Sequence, residues 1–381
     1  MTRALQPALD RHHYVDADSY AREAAMLRGE WTCIGRLDDL GLAESGRMLR
    51  NRRVVADFGG EAVIVTADGA GVLRAFANVC RHRGAQLVTL DESGRADPCE
   101  AKALRCPYHS WTYGLDGSLL HAPHTEDVEI DCSAFGLIRL GADAWAGFLW
   151  VTEDLAAPAV TETLSPVADR VRRYPLDTLV VGARLEYGVG ANWKVLAENY
   201  NECYHCGPVH PELCRLVPAF GGGGVDLDWE DGIPHREGAW TFTLSGTSDR
   251  APFPDLDAAE RVRHKGELVY PNLFLSLSAD HVAAFVLRPV AVDRTLVTCD
   301  LLFDPGEVAK PGFDPSDAAE LWDLVNRQDW AICESVQRGM TSRYYRQGWF
   351  APMEDAALDI RRWLLPRLQR HRHPDRAATD G

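Results

Sequence analysis

Two short cysteine–histidine pairs constrain this chain more than any other feature of its sequence. One residue separates Cys80 from His82, and two residues separate Cys106 from His109. Each pair places one thiolate and one imidazole on a tight loop, next to short segments rich in valine and isoleucine that predict β-strands. We therefore expect a β-rich fold in which two loops converge on one metal group.

A set of two cysteines and two histidines fits two kinds of metal site. Two thiolates on one iron and two imidazoles on the other give the mixed-ligand [2Fe–2S] cluster called a Rieske centre. The same four side chains could instead hold a structural zinc ion. Gly84 and Pro107 lie beside the ligands, as tight cluster-binding loops require, and neither pair lies on a predicted helix. These details favour the cluster.

A second set of potential ligands lies in the segment ENYNECYHCGPVH. Asn199, Glu202 and His205 are spaced three apart, so they would share one face of the helix predicted for NWKVLAENYNECYHCG. The glycine–proline pair that follows would end this helix and let His210 approach His205. Two histidines supply two ligands of a facial triad, which also needs a carboxylate.

The carboxylate is predicted on a later helix, DAAELWDLVNRQDWAICESVQRGM. Asp329 lies there among apolar neighbours, where a charged group is costly unless something pairs with it. A metal ion would supply that pairing. Asp323, on the same helix, is the alternative.

Cys203 and Cys206 form a Cys-x-x-Cys pair inside the second set. Such a pair can be a redox centre or part of a zinc site. On the predicted helix the two side chains would point partly apart, and a free cysteine is commonly a small buried hydrophobe. We therefore expect two separate thiols packed in the core.

The pattern of apolar and polar residues changes along the 381-residue chain and predicts an α+β protein of more than one domain. Residues 1–30 have helical periodicity and would pack on the body of the protein. Residues 31–154 consist of short strand-like segments and predict an all-β domain. Residues 155–366 predict a second domain with an antiparallel sheet flanked by helices, and the polar tail, residues 367–381, is expected to be flexible.

Charge and hydropathy exclude several classes of partner. The formal net charge of −16 argues against nucleic acid, which binds to basic surfaces. No apolar run is long enough to cross a bilayer, and the N-terminus lacks the apolar stretch of a secretory signal, so we expect a cytoplasmic protein without membrane association. No glycine-rich dinucleotide fingerprint follows a predicted strand. Electrons from NAD(P)H would therefore arrive through a separate reductase.

Taken together, the two ligand sets resemble those of the Rieske non-haem iron oxygenases. ANVCRHRGAQL and CPYHSWTYGLDGSL resemble the Rieske domain of that family, although the gap between the pairs is longer than usual. Asn192-Trp193-Lys194, the segment from Glu198 to His210 and the late Asp329 resemble its catalytic domain. The resemblance implies a [2Fe–2S] cluster held by Cys80, His82, Cys106 and His109, and a mononuclear Fe(II) held by His205, His210 and Asp329, with Asn199 in the same site. It also implies a head-to-tail homotrimer in which Glu202 links the iron to the cluster of a neighbouring subunit.

One position indicates a branch of the family. Glu202 stands where ring-dihydroxylating members usually carry aspartate, and in this the chain is similar to the branch that acts on choline, glycine betaine and carnitine. The resemblance implies O₂-dependent hydroxylation or N-demethylation of a quaternary ammonium compound, with electrons from a reductase and possibly a ferredoxin. Aromatic side chains could hold such a cation by cation–π attraction; the candidates are Tyr204, Trp229, Trp240, Phe242 and Tyr270.

Two other functions stay open at this point. A cavity without an aromatic cage would favour an aromatic ring-hydroxylating dioxygenase α subunit. A chain that kept the cluster without an active iron would be an iron–sulfur electron-transfer protein.

Overall fold

The structure is a computed structural model that describes residues 4–44, 46–91, 96–125, 127, 129–225 and 227–372. It divides into two compact units. Leu27–Ala168 and Leu176–Leu179 form the first, called here the β unit, and the rest of the described chain forms the second, called here the mixed unit. Residues 155–168, expected in the second domain, fall in the β unit. The α+β class predicted from the sequence is confirmed.

The β unit is built on an antiparallel sheet. Its seven strands lie in the order Thr32–Arg36, Phe148–Thr152, Arg139–Trp145, Leu73–Ala77, Glu61–Ala67, Arg52–Phe58 and Cys99–Glu100. In Arg52–Phe58 the apolar side chains of Val54, Ala56 and Phe58 are buried at every second position, as a strand with one covered face requires. The long gap between the two ligand pairs contributes the edge strand Cys99–Glu100.

A smaller sheet carries the second ligand pair. Its strands lie in the order Leu119–His121, Thr112–Tyr113 and Leu104–Arg105. The remaining elements of the β unit are short: the paired strands Ala43–Glu44 and Arg47–Met48, the 3₁₀ helix Cys132–Phe135, and the helices Val160–Thr163 and Ser165–Val171, the last of which ends in the mixed unit. One apolar core of this unit contains both Cys80 and Cys106 together with Phe76 and Leu104. The small sheet therefore anchors both ligand loops in one core.

The mixed unit is built on a six-stranded antiparallel sheet flanked by helices. The strands lie in the order Val180–Val189, Arg294–Phe303, His281–Ala291, Leu273–Leu277, Arg263–Val269 and Ile233–Pro234. A short pair, Gln6–Pro7 with Trp349–Phe350, lies apart from it. The helices are His12–Val15, Ala17–Arg28 (which ends in the β unit), Trp193–Tyr200, Cys206–Val209, Pro211–Leu216, Pro305–Val308, Ser316–Thr341 and Asp359–Arg372, with 3₁₀ turns at Pro218–Gly222, Glu260–Val262 and Pro352–Leu358. Among the described residues, no helix combines the length and apolarity needed to cross a membrane.

The N-terminal segment is tied to the mixed unit by buried polar contacts. The Glu23 carboxylate accepts hydrogen bonds from Lys194 Nζ at 2.8 Å and from Trp193 Nε1 at 2.5 Å. The Tyr14 hydroxyl donates to Glu198 at 2.5 Å. Because Glu23 and Lys194 are almost fully buried, removal of either partner should cost about 3–5 kcal/mol of stability.

The C-terminal helix extends further than the sequence indicated. Asp359–Arg372 includes Pro366 and the first residues of the tail expected to be flexible; residues 373–381 lie outside the described part. A proline inside a helix removes one backbone hydrogen bond. Ile360, Leu364 and Leu368, spaced four apart, are buried on one face, and this burial offsets the loss.

Candidate functional site

The two ligand loops of the β unit have the same hydrogen-bonding pattern. Cys80 N–H donates to Ala85 O at 2.8 Å while Cys80 O accepts from Gly84 N–H at 3.0 Å. Cys106 makes the equivalent bonds with the residues five and four positions later, at 2.8 and 3.1 Å. Gly84 and its counterpart Ser110 both have a left-handed backbone, with φ of 77° and 62°. The turns aim each cysteine into the core and each histidine outward.

The two cysteines and the two histidines differ in exposure. This is expected of a mixed-ligand cluster, in which one iron is bound by the cysteines and the other by the histidines. Cys80 and Cys106 are each 2% exposed within one apolar core. His82 and His109 lie toward the surface, with ring centroids 4.6 Å apart. Sheltered thiolates on one side and accessible imidazoles on the other fit a [2Fe–2S] group with two chemically distinct irons.

Tyr113, which sequence analysis did not single out, contacts this site. Its hydroxyl lies 3.4 Å from Cys80 Sγ and accepts from Arg81 N–H at 3.2 Å. Burial, and then the contact with Cys80, raise the pKa of Tyr113, so the phenol keeps its proton and can donate to a ligand thiolate. Such donors tune a cluster. Tyr113 lies seven residues after Cys106, on the strand Thr112–Tyr113, and this proximity in the sequence could have identified it as a neighbour of the cluster site.

In the mixed unit, the three predicted iron ligands converge. The ligand atoms of His205, His210 and Asp329 all lie within 4.8 Å of one another. Asp329 Oδ1 is 2.9 Å from Nε2 of His210 and 3.3 Å from Nε2 of His205. Asp323, the alternative, instead accepts from Tyr187 and pairs with Arg327.

Neighbouring side chains fix the orientation of both imidazoles. Nδ1 of His205 lies 2.5 Å from Glu202 Oε1, and Nδ1 of His210 lies 2.7 Å from Gln328 Oε1. Because Nδ1 of each ring contacts a neighbouring side chain, Nε2 points toward Asp329. Histidines that bind a metal through one ring nitrogen are commonly oriented in this way by a hydrogen bond to the other nitrogen. Gln328 was not predicted, although it precedes Asp329 directly.

The protonation of these groups indicates a site made for a cation. Burial would raise the pKa of Asp329, but its hydrogen bonds to His205 and His210 outweigh burial and lower it. Burial would lower the pKa of His205, but Asp329 and Glu202 raise it to about 10. Positive charge is therefore favoured at this point, and two neutral imidazoles with one carboxylate fit the facial triad of Fe(II).

The segment before the histidines is not the continuous helix that the sequence predicted. The helix begins after the N-cap Asn192, as expected, but ends at Tyr200. The Glu202 carboxylate accepts from the backbone N–H groups of Tyr204 and His205, which replaces helical hydrogen bonds. Asn199 nevertheless reaches the site, with Nδ2 at 3.3 Å from His205 Nε2.

The prediction of two free thiols at Cys203 and Cys206 was wrong, because these residues form a disulfide. Their Cα atoms are 5.0 Å apart, within the range that a disulfide bridges. The argument that the side chains diverge assumed one helix, and the chain turns between them. This bond closes the turn that carries His205, directly after Glu202.

A cavity of about 390 Å³ opens beside the triad. Three of the predicted substrate residues, Trp229, Phe242 and Tyr270, line it. Tyr204 and Trp240 are not among the described residues of its wall. Further aromatic side chains in the wall were missed by sequence analysis: Tyr200, Phe220, Phe274, Phe285 and Trp322.

The aromatic rings of the wall pack against one another. Phe242 stacks on His264 with centroids 3.9 Å apart and on Trp322 at 5.3 Å, and Phe220 stacks on Trp229 at 5.8 Å. Trp322 precedes Asp329 by seven residues on one helix, so both lie on the same face, a spacing that could have revealed it. The wall therefore offers several π faces close to the triad.

Both halves of the chain match known families. Residues 30–132 match the Rieske [2Fe–2S] domain, and residues 176–370 match the ring hydroxylating alpha subunit (catalytic domain). The chain is 28% identical to the glycine betaine monooxygenase oxygenase subunit of Chromohalobacter salexigens, over 95% of this chain and 86% of the relative. It is 31% identical to the carnitine monooxygenase oxygenase subunit of Acinetobacter baumannii, over 84% and 82%.

Solved structures have the same fold. The quaternary ammonium Rieske monooxygenase CntA, in complex with an inhibitor, superposes with a TM-score of 0.73 at 26% identity and 96% coverage of both chains. Naphthalene 1,2-dioxygenase from Rhodococcus sp. superposes with a TM-score of 0.70 at 19% identity and 94% coverage of both. The second likeness concerns the fold alone.

Proposed function

This chain belongs to the Rieske non-haem iron oxygenases, and we propose that it oxidises the carbon next to nitrogen in a quaternary ammonium compound. It is an oxidoreductase with a [2Fe–2S] Rieske cluster and a mononuclear iron. The family and the cofactors expected from the sequence are thereby confirmed. The observation that carries the substrate proposal is the stacked aromatic wall beside the triad.

The relatives support this choice of substrate. Those named above are monooxygenase subunits for glycine betaine and carnitine, and a choline monooxygenase of Beta vulgaris is 27% identical over 84% of this chain. A quaternary ammonium group cannot donate hydrogen bonds and is held by aromatic faces instead. Trp229, Phe242 and Trp322 offer such faces.

We propose separate roles for the residues of the site in binding the iron, orienting its ligands and holding the substrate. When bound, the iron and the cluster together supply the activation of O₂ by electrons from an outside donor. His205, His210 and Asp329 would hold the iron, while Glu202 and Gln328 orient the imidazoles. The aromatic wall would exclude water and hold the methyl groups of the cation near the triad.

The wider system is also a proposal. As an oxygenase subunit the chain needs a separate reductase, which we propose uses NAD(P)H, with or without a ferredoxin. We propose a head-to-tail homotrimer in which Glu202 passes electrons between subunits, and a cytoplasmic location, where NAD(P)H is available. The exposed cations Arg81, Arg83, Lys102 and Arg105 around the cluster loops could attract an acidic electron carrier.

The alternatives have less support. The converging triad argues against a protein that only transfers electrons. Ring hydroxylation has the matched catalytic-domain family and a fold likeness in its favour, but the relatives named above act on quaternary ammonium compounds.

A substrate screen tests the proposal. The holoenzyme, supplied with electrons by a surrogate reductase and NADH, should consume O₂ with choline, glycine betaine or carnitine faster than with naphthalene or benzoate. The product, or formaldehyde released from it, should match the O₂ consumed. Turnover of the aromatic compounds alone would contradict the proposal.

A further inference from the structure

Resting on the proposed function, we infer that this cavity selects quaternary ammonium compounds whose other end is uncharged, and that Glu267 enforces the choice by occupying Arg170. Choline and an amide of glycine betaine belong to the favoured class. Glycine betaine and carnitine, which carry a carboxylate, belong to the disfavoured class.

Arg170 is the one arginine or lysine among the described residues that line the cavity. Its Nε and Nη2 atoms donate to the two carboxylate oxygens of Glu267, each at 2.7 Å. This two-point geometry is the strong form of the arginine–carboxylate pair. The side chain of Glu267 is 8% exposed and that of Arg170 is 33% exposed, so water reaches the pair from the arginine side only. The charge of this arginine, the one cation of its kind among the described residues of the wall, is therefore balanced by Glu267 before a substrate enters.

Apart from the histidines of the triad, the other charged groups among the described residues of the wall are negative. Glu230 and Asp359 also line the cavity, and Glu230 lies close enough to Arg170 to raise its pKa, after the hydrogen bond with Glu267. His264 carries no compensating charge, since burial holds its pKa well below the ordinary value. Outside the triad, the described residues of the wall thus attract a cation and offer an anionic tail no uncompensated positive charge.

The consequence for a substrate follows from the cost of burying charge. A carboxylate entering the cavity must displace Glu267 from Arg170, share the guanidinium with Glu267 against their mutual repulsion, or lose water without gaining an ionic partner, and each of these is unfavourable. A hydroxyl or amide tail avoids this cost. Selection here works by rejection of the anion as much as by attraction of the cation.

A matched set of ligands tests the inference. Glycine betaine and its amide share one skeleton and differ in the charge of the tail, and choline adds a neutral alcohol. Binding to the holoenzyme is measured by calorimetry without O₂, and kcat/KM by O₂ uptake with product analysis. We expect the amide and choline to bind at least about tenfold more tightly than glycine betaine, a difference of about 1.4 kcal/mol.

Two variants locate the cause. Glu267→Gln frees the guanidinium. It should lower the Kd of glycine betaine relative to that of the amide by about tenfold. Arg170→Gln, useful if the first variant fails to fold, leaves the charge of Glu267 uncompensated and should widen the difference in affinity between the amide and glycine betaine. Arg173→Gln is the control, because Arg173 pairs with Glu260 and does not line the cavity.

Each outcome decides between the two proposals. A wild-type preference for glycine betaine that Arg170→Gln removes would make Arg170 the carboxylate ligand and overturn the inference, while the proposed function stands. If none of the three compounds binds or reacts, the proposed function fails as well. A neutral-tail preference that Glu267→Gln removes supports both.

Discussion

Glu202 and His205 are joined through carboxylate Oε1 and imidazole Nδ1, 2.5 Å apart. The other carboxylate oxygen of Glu202 accepts from the backbone N–H of His205 at 3.3 Å and from that of Tyr204. The Glu202 carboxylate therefore fixes both the backbone at His205 and the orientation of the His205 imidazole. The orientation of Nε2 toward the metal site depends on this contact.

Replacement of Glu202 should separate iron binding from coupled turnover. Glu202→Gln keeps the shape but removes the negative charge that holds the Nδ1 proton of His205, and losses of about 10–100-fold are typical for such outer groups. We expect cluster and iron to be retained while product formed per O₂ consumed falls by at least about tenfold. Glu320→Gln, an exposed change on the helix Ser316–Thr341, is the control. Product formation like that of the wild type would remove Glu202 from the electron path.

The two aspartates of the long helix should behave differently. Asp329→Asn removes a charged ligand, so iron should fall from about three to about two atoms per chain while sulfide and the cluster spectrum stay unchanged. Asp323→Asn should keep the full iron content, because Asp323 pairs with Arg327 instead. Metal and sulfide analysis of both purified variants decides this. Full iron content in Asp329→Asn would assign the third ligand elsewhere.

Two tryptophans provide a matched test of the aromatic wall. Trp229 lines the cavity and Trp240 does not. Since a desolvated cation–π contact contributes up to about 2 kcal/mol, Trp229→Leu should raise the Kd of choline about tenfold, and Trp240→Leu should leave it within about twofold. The neutral analogue 3,3-dimethylbutanol should lose less affinity than choline in Trp229→Leu. Equal losses for both ligands would indicate a purely steric role.

Stability should depend on pH through Glu198. Burial raises its pKa to about 8, against opposing effects of Tyr14 and Lys194. The folded protein then keeps a proton that the unfolded chain releases above about pH 4.5, so this residue lowers stability as the pH rises from about 4.5 to about 8. Glu198→Gln should flatten that part of the Tm–pH curve, with Glu320→Gln as control. A variant whose curve runs parallel to the wild type would contradict the assignment.

Local patterns indicated the candidate ligands that the structure brings together because the relevant information is local. Cys-x-His and Cys-x-x-His pairs sit on turns that a few residues define, and the buried carboxylate at Asp329 is conspicuous on an apolar helix face. The hairpin at Asp116-Gly117 also formed as the turn residues indicate, with Thr112–Tyr113 paired to Leu119–His121.

The predictions of a continuous helix and of two free thiols were wrong because a side chain competes with the backbone for hydrogen bonds. A helical pattern through residue 207 is interrupted because Glu202 bonds to the backbone N–H groups that the helix would have used. That break brings Cys203 within bonding distance of Cys206. The residues of the cavity wall could not be predicted either, since the neighbours of Trp229 and Trp240 in the sequence do not indicate which of the two reaches the cavity.

A single-turnover reaction tests the central claim most directly. The holoenzyme is reduced chemically, freed of excess reductant and mixed with choline and ¹⁸O₂ in the absence of any reductase. The account predicts that the product, or the formaldehyde released from it, forms in an amount close to that of the reduced enzyme, and that it carries ¹⁸O when it is trapped by reduction before its oxygen exchanges with water. Oxidation of both metal centres with no labelled product from choline, glycine betaine amide or glycine betaine, but with labelled diol from naphthalene, would contradict it.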